Sequence, residues 1–138
     1  MSAATLLDRL DRPKQTRSGN WIAGCPCCQS RRGRPISVRD LGGRILLHAF
    51  CGCRTEDVLG AIGLQMSDLF EAPLGHHFPA SKSQIPARDL IEIISEETNI
   101  ITTTAADLLD GRFIDEDAWT RLAQAAARIH RARDHFYG

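Results

Sequence analysis

Five cysteines stand in two tight groups, Cys25-Pro26-Cys27-Cys28 and Cys51-Gly52-Cys53. Thiolates are soft ligands, and four of them at tetrahedral corners suit one zinc ion. A Cys-x-x-Cys turn can bring two sulfurs to one ion, and its backbone N–H groups can point at the thiolates. The second pair completes the set when the 22 residues between the groups fold back on themselves. The expected ligands of Zn2+ are therefore Cys25, Cys28, Cys51 and Cys53. Cys27 competes with Cys25 and Cys28, and His48 is an alternative to Cys51 because imidazole also suits zinc. A nucleophilic cysteine is disfavoured. No histidine and acid stand beside these cysteines in sequence, and a zinc-bound thiolate is quiescent.

The elements that must position the sulfurs can be read on either side of them. Residues 3–11 have a helical pattern, with Ser2 as cap, Leu6, Leu7 and Leu10 on one side and Pro13 as the stop. Lys14 to Asn20 reads as a polar, basic loop, and Trp21-Ile22-Ala23 as a short strand leading into the first cysteine group. Ile36 to Arg39 alternates like a strand, Asp40-Leu41-Gly42-Gly43 is turn material, and Arg44 to Phe50 is the return strand. Thr55 then caps a helix that carries Val58, Leu59 and Ile62 and ends at Gly63. Ser67 to Phe70 suggests one further turn.

Residues 71–86 hold Pro73, Gly75, Pro79 and Pro86 without periodicity and read as a linker. Ile91, Ile94, Thr98, Ile101, Ala105 and Leu108 then recur at steps of three and four, the mark of a helix over residues 87–109. Asp110-Gly111 closes it, and Asp115 opens another helix with Trp119, Leu122, Ala126, Ile129 and Phe136 on one face. The predicted fold class is α+β. A small antiparallel zinc ribbon with flanking short helices occupies residues 1–70, a linker residues 71–86, and a C-terminal αα-hairpin residues 87–138.

The net charge is zero, but it is unevenly spread. Residues 1–54 hold ten Arg/Lys against three acids, and residues 55–138 hold seven against fourteen. A basic first half points to nucleic acid. Arg31, Arg32 and Arg34 after the first cysteine group, with Arg17 and Arg44, are the expected phosphate contacts. Trp21 is a candidate to stack on a base, and both Trp21 and Phe50 have a competing place in the ribbon's own small core. The chain shows no secretion signal and no apolar run of bilayer length, which places it in a cytoplasm, where cysteines stay reduced. No Gly-rich phosphate loop is present, and the triplet Asp115-Glu116-Asp117 fits a charged first helical turn better than a metal site.

Several of these residues carry a family resemblance. Gly19-Asn20-Trp21-Ile22-Ala23-Gly24-Cys25-Pro26, His48 to Cys53, Thr55 to Leu64 and Ser67 to Phe70 resemble the N-terminal zinc-binding domain of phage and plasmid DNA primases. That family is related to the zinc ribbon of bacterial primases (CHC2 type). The likeness covers about residues 17–70. Family members commonly have a histidine at the place of Cys28 and a cysteine right after the residue matching His48, where this chain has Ala49. The resemblance implies a ribbon that contacts single-stranded template DNA beside a catalytic domain. Residues 71–138 do not read as a primase palm, so the expectation is a non-catalytic, primase-like accessory module in the DNA replication of a phage or mobile element inside a bacterial cell. The alternative is a phage-borne adaptor or inhibitor with a purely structural zinc site. The helical hairpin would then meet a replication protein, such as a helicase or primase, or a second copy of the chain.

Overall fold

The computed structural model describes residues 1–28, 32–70 and 85–137. Helix α1 (Ala3–Leu7) leads into four strands: β1 (Asp11–Arg17), β2 (Asn20–Gly24), β3 (Ile36–Asp40) and β4 (Ile45–Ala49). Helix α2 (Thr55–Ala61) and a 3-10 turn (Met66–Leu69) follow, and the long helices α3 (Ala87–Leu109) and α4 (Glu116–Tyr137) complete the chain. The strands form one antiparallel sheet in the order β1-β2-β3-β4. The protein is thus α+β as the sequence predicts, with the antiparallel ribbon and the C-terminal helical pair both present.

The N-terminal region differs in detail from the sequence reading. Helix α1 stops at Leu7, well before Pro13, and the supposed basic loop is strand β1. Proline is tolerated in an edge strand, where its missing N–H is not needed by a neighbour. The pairing of β1 with β2 shifts register twice, and Arg12 sits in the first irregularity at φ 45°. Such bulges twist an edge strand and hide its pattern from the sequence. Ser2 does cap α1, its hydroxyl accepting from the Thr5 N–H at 3.4 Å. Thr55 is the first residue of α2 and not its cap; Arg54 takes that position in an extended conformation. Gly63, at φ 73°, closes α2 as expected, with the Leu64 N–H returning to the Leu59 carbonyl at 2.9 Å.

The register assigns the two faces of the sheet. Trp21 pairs with Val38 and Val38 with Leu47; Ala23 pairs with Ile36 and Ile36 with Ala49. These residues share one face, because side chains alternate along a strand. They pack with Leu6 and Leu10 and with Val58, Leu59, Leu64 and Leu69 in an aliphatic core. On the opposite face Ile22 and Phe50 meet Leu90 and Ile93 of α3 and Ala132 of α4. The sheet is a middle layer, with short helices on one side and the long helical pair on the other.

The helical pair turns a different face inward from the one its apolar stripe suggests. The buried residues of α3 are Asp89, Leu90, Ile93, Glu97 and Thr104, while Ile91 and Leu108 are exposed. In α4 the buried residues are Arg121, Ala125, Arg128 and Ala132, while Trp119 and Phe136 are exposed. The cause is charge pairing inside the interface. Glu97 lies 2.7 Å from Arg121 and 2.9 Å from Arg128, and Asp89 accepts from the Thr16 hydroxyl of β1. An apolar-stripe rule assumes that ionised groups face water, and here three of them face each other.

Candidate metal centre

Strands β2 and β4 run in the same direction, with β3 between them. Their C-terminal ends lie at one end of the sheet, about 9.5 Å apart at two strand spacings. Cys25 is two residues past Ala23, and Cys51 two past Ala49, so the alternation returns both to the aliphatic face. The chain then turns inward from both sides. Gly52, between Cys51 and Cys53, has φ 89°, a backbone state that favours glycine. A Cβ there would also lie 2.9 Å from a guanidinium nitrogen of Arg131.

These turns bring the four predicted sulfurs together. The Sγ atoms of Cys25, Cys28, Cys51 and Cys53 all lie within 4.8 Å of one another, and the Cys28 and Cys53 sulfurs are 3.4 Å apart. A tetrahedron with metal–sulfur bonds near 2.3 Å has edges of about 3.8 Å, so the cluster is close enough to hold one metal ion. None of the five cysteines is in a disulfide. Cys27 lies outside the group of four. His48 is also outside it, its ring turned to the other face with Phe50 at 4.6 Å and His135 at 5.1 Å between centroids.

The proximity of the four sulfurs sets their protonation. Hydrogen bonding from Cys51 draws the Cys25 thiol down to about 5. The Cys51 thiol is pushed up in return, chiefly by that same bond and then by burial. Burial, followed by the bond to Cys28, pushes the Cys53 thiol up to about 12. Several thiolates so close together repel, and sharing protons relieves the repulsion. A divalent cation among them removes the need to share, and all the thiols can ionise.

Charged side chains of α3 and α4 pack beside the sulfurs. Arg128 is 1% exposed, pairs with Glu97 and also faces the Cys28 sulfur. Arg121 and Arg128 both donate to the Arg32 carbonyl, at 3.0 and 3.1 Å, on the stretch that follows the first cysteine group. Gly33 lies against the same cluster; a Cβ there would sit 2.3 Å from a Glu97 carboxylate oxygen. Arg131 reaches the Cys51 carbonyl at 3.4 Å. These helical arginines escaped the sequence reading. Their signal is the spacing of Arg121, Ala125, Arg128 and Ala132, a face of small residues and cations on one helix.

The predicted phosphate contacts separate into two places. Arg32 and Arg34 lie at the sulfur end of the sheet, and Arg17 and Arg44 at the far end, beside the two turns joined by the Asp40 N–H to Gly19 carbonyl bond of 2.9 Å. Arg34 is engaged with Glu96 and with the Arg12 carbonyl at 2.7 Å. Trp21 is half-buried against the aliphatic core, and Phe50 is fully buried on the other face. Arg31 and most of the predicted linker lie outside the described residues. No helix among the described residues is long and apolar enough to cross a membrane. No protein-family model matches the chain, nor does any curated protein or any solved structure.

Proposed function

We propose that this chain is a non-catalytic zinc-ribbon protein that binds single-stranded nucleic acid in the DNA replication of a phage or mobile element. Zinc is the reading for the ion because four clustered thiolates with no oxygen ligand suit a soft, redox-inert tetrahedral site. The metal's role is structural: it fastens the ends of β2 and β4, as a small ribbon requires.

The observation that carries the nucleic-acid reading is the exposed edge strand β1. It runs from the sulfur end, where Asp11 pairs with Gly24, to the far turns, where Arg17 pairs with Asn20. Arg12, Lys14 and Arg17 are exposed along it. They join the two separated arginine groups into one basic path, roughly 23 Å long for a strand of this length. Lys14 pairs with Glu92 at 2.9 Å, and Arg12 with Asp11 at 3.0 Å. Exposed ion pairs of this kind contribute little, so phosphates can replace the carboxylates. The primase likeness of residues 17–70 supports the same reading.

Two measurements test it. Metal analysis of the purified protein should find one zinc per chain, lost in Cys25→Ser, Cys28→Ser, Cys51→Ser and Cys53→Ser and kept in Cys27→Ser. Fluorescence anisotropy with labelled single-stranded oligonucleotides should show affinity falling steeply with salt. Lys14→Ala with Arg17→Ala should weaken binding about tenfold. No binding at low salt, or full binding by that double variant, would remove the nucleic-acid reading and leave the metal reading standing.

A further inference from the structure

The helical pair has two parts. Its base lies on the sheet through Leu90, Ile93 and Ala132, and Glu97, Arg121 and Arg128 grip the stretch at Arg32. Beyond that grip, over residues 98–120, Thr104 is the single buried residue. Four large apolar side chains at this end face solvent, Leu109 at 89% exposed, Phe113 at 91%, Trp119 at 52% and Leu108 at 47%, while Ile100, Ile101 and Ile114 are half-buried. Leu108 and Leu109 end α3, and Phe113 lies in the turn that joins it to α4. Clustered apolar exposure with a polar rim marks an interaction surface. A two-helix projection without a core of its own also gains most from a partner that supplies one.

The rim identifies the partner's chemistry. Residues 98–120 carry Asp107, Asp110, Asp115, Glu116 and Asp117 against the single base Arg112, which is tied to Asp107 at 3.1 Å. Nucleic acid would be repelled from this end. A second copy joined tip to tip would set like charges against each other. We infer that the free end of the α3–α4 pair is a docking surface for a protein segment whose apolar side chains are flanked by lysine or arginine, such as a basic amphipathic helix. Leu109 and Phe113 are the anchors, and the carboxylates set the partner's charge. This surface is remote from the β1 edge and stands whether or not that edge binds nucleic acid.

The test titrates the full zinc-loaded chain with a synthetic leucine–lysine peptide of helical amphipathic spacing. A peptide of equal composition with the spacing scrambled is the control, and calorimetry at low and high salt reads the binding. The expected result is one amphipathic peptide per chain, binding that weakens with salt, and little heat from the scrambled peptide. Leu109→Ser with Phe113→Ser should weaken binding about tenfold or more, a loss of about 1.4 kcal/mol or greater. Asp115→Asn with Glu116→Gln and Asp117→Asn should remove most of the salt dependence. These side chains are exposed, and unchanged helix content by circular dichroism will show that the variants remain folded. Equal binding by the double serine variant, or equal binding of the scrambled peptide, overturns the inference. So does a dimer in sedimentation that the double serine variant converts to monomer, because the surface would then belong to a second copy.

Discussion

The two faces of the sheet are closed by different means. On one, Leu6, Leu10, Val58, Leu59 and Leu64 pack on Ala23, Ile36 and Val38, and the cysteine cluster sits at the end of that layer. On the other, a smaller apolar contact of Ile22, Phe50, Leu90, Ile93 and Ala132 is supplemented by the buried ions Glu97, Arg121 and Arg128. Aliphatic packing tolerates exchange of one hydrocarbon for another of similar volume. A buried ion set does not tolerate loss of one member, because the remaining charges are stranded in a poor solvent. The first face should therefore yield gradually to substitution and the second abruptly, while the cysteine cluster, close enough to hold a metal ion, lies at the end of the sheet that both share.

The largest effect belongs to the metal. Cys28→Ser or Cys51→Ser should forfeit metal-linked stabilisation on the order of 10 kcal/mol and unfold the sheet, as read by native mass spectrometry and circular dichroism. Retention of a folded, metal-free sheet would show that the aliphatic face suffices alone. Loading must also displace protons from Cys51 and Cys53, whose thiols are held above the ordinary range. With at least two protons released, apparent affinity should climb about hundredfold per pH unit near neutrality in a chelator competition.

Next comes the ionic face. Glu97→Gln leaves Arg121 and Arg128 buried without a counterion and should cost about 3–5 kcal/mol in urea unfolding. Leu59→Ala, on the aliphatic face, should cost about 3 kcal/mol. If Leu59→Ala proved the more damaging, the contrast between the faces would fail. Replacing Glu97, Arg121 and Arg128 together by Met, Leu and Met sharpens the comparison. The triple variant should be more stable than Glu97→Gln, since no charge is left unpaired.

The smallest effect is pH dependence at His48. Burial first, and the neighbouring His135 second, hold its pKa below 6.5. Folding therefore favours the neutral ring, and the unfolded chain binds more protons as pH falls past 6.5. Stability should drop on acidification below that point. His48→Gln should flatten the slope, and an unchanged slope would show that other groups carry it.

The same contrast explains what was legible in the sequence. The β3–β4 hairpin was readable because alternating residues flank Asp40-Leu41-Gly42-Gly43. The limits of α3 and α4 were readable from Asp110-Gly111 and from Asp115, whose carboxylate accepts from the Ala118 N–H at 2.8 Å. The cysteine cluster was readable because ligand spacing is a local property. The inward faces of α3 and α4 were not, because Glu97 and Arg128 satisfy each other only once helices distant in sequence have met. Strand β1 was hidden by Pro13 and its run of polar residues, which suit an exposed edge. The contact of His135 of α4 with Phe50, edge-on with ring centroids 5.6 Å apart, likewise joins residues distant in sequence. Arg34, read as a phosphate contact, spends its charge on Glu96.

The grip on the Arg32 carbonyl has a consequence for the order of assembly. All four sulfurs exist once residue 53 has been synthesised, whereas Arg121 and Arg128 follow 68 and 75 residues later. A nascent chain can therefore capture its ion while the stretch at Arg32 is still unclamped. Helices α3 and α4, made later, would then latch a loaded site and slow the exchange of its ion.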